Sequence, residues 1–146
     1  MKIAIASDHA GFEYKEEIKE HLISKDLQVE DFGTDSKDST DYPDYAYNAA
    51  KSISDGANDR GIFICGSGTG VTMTANKVKG IRAANCFNTD MARLSREHNN
   101  ALVLCIGQNV VDKDTALEMA DTFLATEFEG GRHARRVDKI TSLTGC

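Results

Sequence analysis

The sequence predicts an α/β protein with a mostly parallel sheet and helices on both faces of that sheet. Five short apolar runs, rich in β-branched and aromatic residues, recur along the chain and have the length of strands. Amphipathic helical patterns separate these runs. Strands and helices that alternate throughout form right-handed βαβ units, which place successive strands parallel in one sheet.

The first half of the chain supplies three of the predicted strands. The first, Lys2–Ala6, precedes a helical pattern over Phe12–Ser24 whose apolar residues share one face. The second, Leu27–Phe32, precedes a helix over Pro43–Ser54, where proline suits the first turn. The third, Gly61–Cys65, runs into a glycine-rich loop.

The second half continues the alternation. In chain order, the predicted elements are a helix start over Val71–Lys77, a strand over Arg82–Cys86, a helix over Thr89–Glu97, a strand over Leu102–Ile106 and a helix over Thr115–Ala125. Val137, Ile140 and Leu143 mark a last helix that could pack on a neighbouring chain.

Length and composition predict one domain over residues 1–146, large enough to bury roughly two-thirds of its unfolded surface. The net charge of -6 disfavours nonspecific binding to nucleic acid or to an anionic membrane. The first apolar run is typical of a strand rather than a signal peptide, so we expect a cytoplasmic protein. The four cysteines match no Cys-x-x-Cys spacing, which predicts neither structural zinc nor disulfides.

The most informative stretch ends the third strand at Cys65 and continues as Gly66-Ser67-Gly68-Thr69-Gly70. The start of a helix leaves backbone N–H groups free, which favours an anion and the thiolate form of Cys65. The alternative is a small buried cysteine, which suits Cys86 and Cys105. The loop lacks nucleotide-binding spacings, so its amides are expected to hold a phosphate or an oxyanion formed during reaction.

The predicted topology adds a second loop to this stretch. In open parallel sheets, ligands bind beyond the carboxyl ends of the strands, where the strand order reverses. In common five-stranded arrangements that point lies between the first and third strands. We therefore expect Asp8 and His9, which follow the first strand, to lie close to Cys65.

A basic segment is the other unusual feature. Gly130-Gly131-Arg132-His133-Ala134-Arg135-Arg136 places four basic side chains within five residues of an acidic protein. Arg132 and Arg136 would share one helix face, which suits a bidentate grip on a phosphate, although a solvated basic turn is the alternative. His98 either reacts or complements a helix dipole, and Tyr42 either lines a polar pocket or only starts a helix.

Seven motifs, in order and correctly spaced over nearly the whole chain, resemble one family. They are Ser7-Asp8-His9-Ala10-Gly11, Asp41-Tyr42-Pro43, Ile64-Cys65-Gly66-Ser67-Gly68, Ala75-Asn76-Lys77, Gly80-Ile81-Arg82-Ala83, Ser95-Arg96-Glu97-His98-Asn99 and Gly130-Gly131-Arg132-His133. The chain resembles the ribose-5-phosphate isomerase B family, with its relatives acting on allose 6-phosphate and galactose 6-phosphate.

The resemblance implies a three-layer α/β/α sandwich with a five-stranded parallel Rossmann-like sheet ordered 2-1-3-5-4. It implies a homodimer whose active sites combine residues of both chains, leaves a tetramer open, and implies neither a metal nor an organic cofactor. The substrate it implies is a small-molecule sugar phosphate, isomerised between ribose 5-phosphate and ribulose 5-phosphate.

The resemblance also implies residue roles. His98 of one chain would help open the furanose ring, with Asp8 nearby, and Cys65 of the other would move the proton between C2 and C1. The amides of Gly66 to Gly70 and the Ser67 hydroxyl would stabilise a cis-enediolate. The substrate contacts would come from His9, Arg132 and Arg136 on the phosphate and from Tyr42 and Asn99 on the sugar hydroxyls.

Two positions depart from the family's pattern. Ser67 stands where many members carry threonine, and Asn109 stands where members often carry an arginine that reaches the partner's phosphate. The alternatives are therefore allose-6-phosphate or galactose-6-phosphate isomerisation. From other classes, the alternatives are a noncatalytic sugar-phosphate sensor and a metal hydrolase that uses Asp8 and His9.

Overall fold

The computed structural model describes residues 1–146 and contains one five-stranded sheet in which every strand is parallel to its neighbours. The strand order is β2-β1-β3-β5-β4, as the resemblance implied. The strands are β1 (Lys2–Ser7), β2 (Gln28–Asp31), β3 (Arg60–Cys65), β4 (Ala83–Asn85) and β5 (Val103–Gly107).

Six α-helices cover the sheet and its edge. They are α1 (Phe12–Ile23), α2 (Tyr42–Ser54), α3 (Thr69–Ala75), α4 (Thr89–Asn99), α5 (Lys113–Ala125) and α6 (Arg132–Thr144). Helices α1, α4 and α5 bury apolar residues in one core cluster, and α2 and α3 do so in the other. The predicted α/β sandwich is therefore confirmed, with α6 packed against α4.

The strands divide their side chains between the two cores with a period of two. In β3, Ile62 and Ile64 enter the core with α1, α4 and α5, whereas Phe63 and Cys65 enter the core with α2 and α3. This second core is lined by small residues, among them Ala4 and Ala6 of β1 and Ala46, Ala49 and Ala50 of α2. Small residues on both sides let α2 approach the sheet closely.

Most predicted elements are present with shifted ends. The second and fourth strands are shorter than predicted, at four and three residues, because each lies at an edge of the sheet and pairs on one side only. Helix α5 begins two residues early because the Asp112 side chain accepts a hydrogen bond from the Thr115 amide. None of the helices is long and apolar enough to cross a membrane.

Candidate active site

The carboxyl ends of β1 and β3 bring two loops together. Ser7, the last residue of β1, pairs with Ile64 in the parallel register. A side-chain carbon added to Gly11 would lie 2.6 Å from the Ile64 carbonyl, and one added to Gly66 would lie 3.6 Å from Ala10 Cβ. The loop that carries Asp8 and His9 therefore lies against the loop that follows Cys65, as the topology predicts.

Cys65 is the last residue of β3 and lies where these two loops meet, at what we call the Cys65 cleft. The residue is buried, and its Sγ accepts a hydrogen bond of 3.2 Å from the Gly68 amide, which immediately precedes α3. Gly68 adopts φ +78, and a Cβ there would lie 2.2 Å from Asn85 Oδ1. Only glycine meets both demands. The backbone thus directs a hydrogen-bond donor at the sulfur.

Asp8 and His9 are both tied to the backbone around them. Asp8 Oδ1 accepts hydrogen bonds of 3.0 Å and 3.1 Å from the amides of Ala10 and Gly11, which caps a short 3₁₀ turn. His9 Nδ1 accepts the Thr40 amide at 3.1 Å. The neutral His9 ring must therefore carry its proton on Nε2, which remains available to donate to a ligand.

Tyr42 and Ser67 border the same cleft. A Cβ on Gly70 would meet the Tyr42 ring at 2.7 Å, so the glycine allows this ring to lie over the start of α3. The Ser67 hydroxyl is exposed and accepts the Thr69 amide at 3.2 Å. Tyr42 thus both begins α2 and borders a polar cleft.

Asn109 stands beside the same loop. Its Nδ2 would lie 3.2 Å from a Cβ on Gly66, and its amide donates to the Gly66 carbonyl. The position at which family members often carry an arginine is therefore within reach of the Cys65 cleft.

The other predicted site residues lie at the opposite end of the strands, where the amino ends of the strands are. Helix α4 runs back from the carboxyl end of β4, so His98 and Asn99 reach the amino ends of the strands. The Arg82 side chain, just before β4, donates to the carbonyls of Asn99 and Asn100. The length of β5 separates this end from Cys65 by roughly 15 Å. One chain therefore does not bring His98 to Cys65.

His98 is held in a cluster of its own. Its ring stacks on His133 with centroids 4.2 Å apart and an angle of 9° between the planes. Glu129 Oε2 lies 3.4 Å from His133 Nε2 and 4.0 Å from His98 Nε2. Desolvation, followed by the charges of His98 and Arg132, lowers the pKa of His133 below its ordinary value. His133 is therefore mainly neutral at neutral pH.

Arg132 and Arg136 begin α6 next to this cluster. Both are exposed and neither forms an ion pair within the chain. Their spacing of four places them on one face of the helix, as predicted. Two unpaired guanidinium groups on one face suit an anionic group brought from outside this chain.

Sequence reasoning missed Arg96, Glu129 and the stack on His133. Arg96 is buried and donates to the Ala101 carbonyl at 2.6 Å and to Asn100 Oδ1 at 2.9 Å, which fixes the chain where α4 ends, three residues after Arg96. Burial lowers the pKa of Arg96 to about 10, which still leaves it charged at neutral pH. The available signals were the two motifs that contain His98 and His133, but these motifs are distant in sequence and Glu129 belongs to neither.

Two other cysteines match their predicted structural role. Cys86 and Cys105 are buried in the two cores. Burial raises the pKa of Cys86 to about 11 and that of Cys105 to about 12. Both are therefore protonated at neutral pH and chemically quiet.

Known proteins resemble this chain in sequence and in structure. The ribose-5-phosphate isomerase B of Clostridium thermocellum is 51% identical, with a TM-score of 0.98 over 99% of this chain and 98% of that one. The Mycoplasma genitalium enzyme, solved with bound ribulose-5-phosphate, is 44% identical, with a TM-score of 0.95 over 99% and 96%.

The curated relatives include two different sugar-phosphate isomerases. The Escherichia coli ribose-5-phosphate isomerase B is 45% identical over 97% of this chain and 95% of its own. The D-erythrulose-4-phosphate isomerase of Pectobacterium atrosepticum is 43% identical over 96% and 93%. The family model described as Ribose/Galactose Isomerase matches residues 3–140. The chain therefore belongs to the ribose/galactose isomerase family.

Proposed function

We propose that this protein is a cytoplasmic, single-domain aldose-ketose isomerase that interconverts D-ribose 5-phosphate and D-ribulose 5-phosphate without a cofactor. The observation that carries the proposal is Cys65 itself, a buried thiol at the carboxyl edge of the sheet whose sulfur accepts a backbone amide. The relative solved with ribulose-5-phosphate supports the substrate.

The chemistry at Cys65 is a proton transfer. The thiolate takes the proton from C2 of the open-chain aldose and returns it to C1, while the hydroxyl proton on O2 passes to O1, so the carbonyl moves from C1 to C2. Negative charge develops on the oxygen atoms of the cis-enediolate between these two steps. The amides of Gly66 to Gly70 and the hydroxyl of Ser67 stabilise that charge, at roughly 3 kcal/mol for each well-placed donor.

Ring opening and substrate positioning use the remaining residues. His98 transfers the proton that opens the furanose, and Asp8 holds the turn beside Cys65 through its two backbone contacts. His9 Nε2, Arg132 and Arg136 bind the phosphate, and Tyr42 and Asn99 contact the sugar hydroxyls. A phosphate bound away from the reacting carbons lets its binding energy orient them.

This division of labour requires two chains. At the carboxyl ends of the strands lie Cys65, His9 and Tyr42, and at the amino ends lie His98, Asn99 and Arg132. A complete site therefore forms only where the carboxyl ends of one chain's strands meet the amino ends of another chain's strands. A two-fold symmetric dimer makes two such sites at once.

The exposed apolar residues support this dimer. Met91 and Leu94 are exposed on α4, Phe87 is exposed just before that helix, and Met73 of α3 is exposed as well. Ile140 and Leu143 are exposed on α6, as the pattern of the last helix predicts. A cavity of about 520 Å³ lies between the end of α3, β4 and the end of α6. Exposed large apolar side chains of this kind are typical of an interface.

The test is a turnover panel. Purified protein is assayed with ribose 5-phosphate, allose 6-phosphate, galactose 6-phosphate and erythrose 4-phosphate, and with the matching unphosphorylated sugars. We expect the highest kcat/KM on ribose 5-phosphate and none on unphosphorylated sugars. A six-carbon or four-carbon preference would replace the proposed substrate, and binding without turnover of any sugar would favour a sensor. Activity lost on chelation would favour the metal hydrolase that Asp8 and His9 suggested.

A further inference from the structure

Outside the Cys65 cleft, the arrangement of His98, Glu129 and His133 is the densest cluster of metal-ligating side chains in the fold. One donor atom from each lies within 4.8 Å of the other two. All three side chains converge where the end of α4 meets the start of α6, and the Glu129 amide donates to the Glu97 carbonyl at 3.1 Å, which holds the connecting segment in place.

The spacing of the donors suits a tetrahedral ion. With bonds of about 2.0–2.1 Å, two ligands of a tetrahedral Zn²⁺ are separated by about 3.3 Å. Glu129 Oε2 lies 3.4 Å from His133 Nε2 and 4.0 Å from His98 Nε2, so the carboxylate is within range of both ring nitrogens. The two rings are stacked nearly parallel, so one of them must rotate out of the stack before both nitrogens face one ion. Two imidazoles and one carboxylate are a familiar zinc ligand set that leaves a fourth position for water.

A second observation points to a ligand at the same place. His133 Nε2 is buried and makes no hydrogen bond, although Glu129 Oε2 is close. A buried imidazole nitrogen without a partner is costly, and a bound ion would supply the missing partner. His98 and Glu129 are partly exposed, which leaves a path from solvent.

We propose that His98, Glu129 and His133 form a binding site for Zn²⁺ whose occupation inhibits the enzyme. The inhibitory consequence rests on the proposed function, because Zn²⁺ would take the Nε2 lone pair that His98 needs for ring opening. Binding of Zn²⁺ breaks no covalent bond in the protein, and the ion keeps its oxidation state. Arg132 and Arg136 lie nearby and oppose a cation, so the carboxylate of Glu129 is the ligand that decides the affinity.

The binding test is calorimetric titration of chelator-treated protein with Zn²⁺ in the absence of sugar. Every variant carries Cys146→Ser, because the exposed thiol of Cys146 is itself a zinc ligand. We expect saturable binding of one ion per chain, with an affinity at least about 100-fold lower in Glu129→Gln and in His133→Gln. The control is His21→Gln, which removes a histidine paired with Asp121 elsewhere on the surface.

The results separate the site from its consequence. Equal affinity in the parent and Glu129→Gln, or no saturable binding, would overturn the site. For inhibition, each variant's rate with Zn²⁺ is divided by its own metal-free rate; the parent should be inhibited and Glu129→Gln should resist. Binding without inhibition would overturn the regulatory role. A metal-free protein without isomerase activity would refute the proposed function while leaving the calorimetric result to stand.

Discussion

His98 and Cys65 lie at opposite ends of the strands, with the full length of β5 between them. Cys65 pairs with Gly107, the last residue of that strand, whereas His98 precedes its first residue, Val103, by five positions. No rotation of either side chain spans this distance. The two groups assigned to one reaction can meet only across an interface between chains.

Mixed dimers should therefore recover activity from two inactive chains. Cys65→Ala and His98→Asn each inactivate both sites of their own homodimer, but a mixed dimer carries one site with both wild-type residues. Random pairing makes half of the dimers mixed, so the mixture should regain about one quarter of wild-type activity per chain. The measurement is the isomerase rate after the two variants are co-refolded. No recovery, with mixed dimers present by native mass spectrometry, would contradict the shared site.

The thiol of Cys65 should control turnover without controlling affinity. Cys65→Ala removes the base, so kcat should fall by about 10²–10⁴-fold, while the affinity for ribulose 5-phosphate measured by calorimetry changes little. Cys146→Ser is the matched control for removal of a thiol, because that thiol is exposed rather than buried at the end of β3. An active Cys65→Ala protein would refute the assignment of the base.

Arg132 should control affinity more than turnover. Arg132→Ala removes a charge-assisted contact to the phosphate, so KM should rise by about tenfold or more. Lys25→Ala is the control, since Lys25 is an exposed cation that already pairs with Asp121 on another part of the surface. The measurement is KM from steady-state kinetics at two ionic strengths. Salt should raise the KM of the wild type, because it screens the contact between arginine and phosphate. An unchanged KM in Arg132→Ala would exclude a role of Arg132 in binding the phosphate.

Asp31 should make stability depend on pH. Burial alone would raise its pKa, but hydrogen bonds from Lys15 and Lys19 outweigh it and hold the pKa below its usual range. The stabilisation is therefore complete above the unfolded pKa of about 3.9 and is lost as the pH falls through the lower folded value.

Asp31→Asn leaves buried Lys15 with a weaker partner, so the free energy of unfolding at pH 7 should fall by roughly 2 kcal/mol, less than for a fully buried pair because Asp31 is partly exposed. The difference between variant and wild type should shrink as urea unfolding is repeated towards pH 3. Asp38→Asn, at an exposed carboxylate, should change neither curve. A difference independent of pH would contradict the linkage.

Much of the fold follows from periodicity that is local in sequence. The alternation of Ile62, Phe63, Ile64 and Cys65 between two cores is a strand pattern that any buried parallel sheet imposes. The adjacency of Asp8 to the Cys65 loop follows from strand order alone. By contrast, the stack of His98 on His133 depends on how α6 leaves the end of α5, where Gly130 and Gly131 both adopt positive φ. Such a path is not encoded in any periodic pattern.

The roles of single residues were harder to predict than their positions. Asp8 lies in the loop beside the one that follows Cys65, as the strand order predicts, but its Oδ1 is committed to the amides of Ala10 and Gly11. Arg96 belongs to the motif around His98, yet only the structure reveals that its side chain is buried and donates to carbonyls rather than to a carboxylate. Hydrogen-bond commitments of this kind depend on backbone geometry, which the residue types alone do not specify.

The alanines of the second core have a consequence at the surface. Ala46, Ala49 and Ala50 hold α2 close to the sheet, and Tyr42, the first residue of the same helix, lies over Gly70. One extra methylene at any of these alanines lifts the whole helix, and the phenol ring with it. The width of the opening above Cys65 therefore depends on small residues of the hydrophobic core as well as on the polar residues around the thiol.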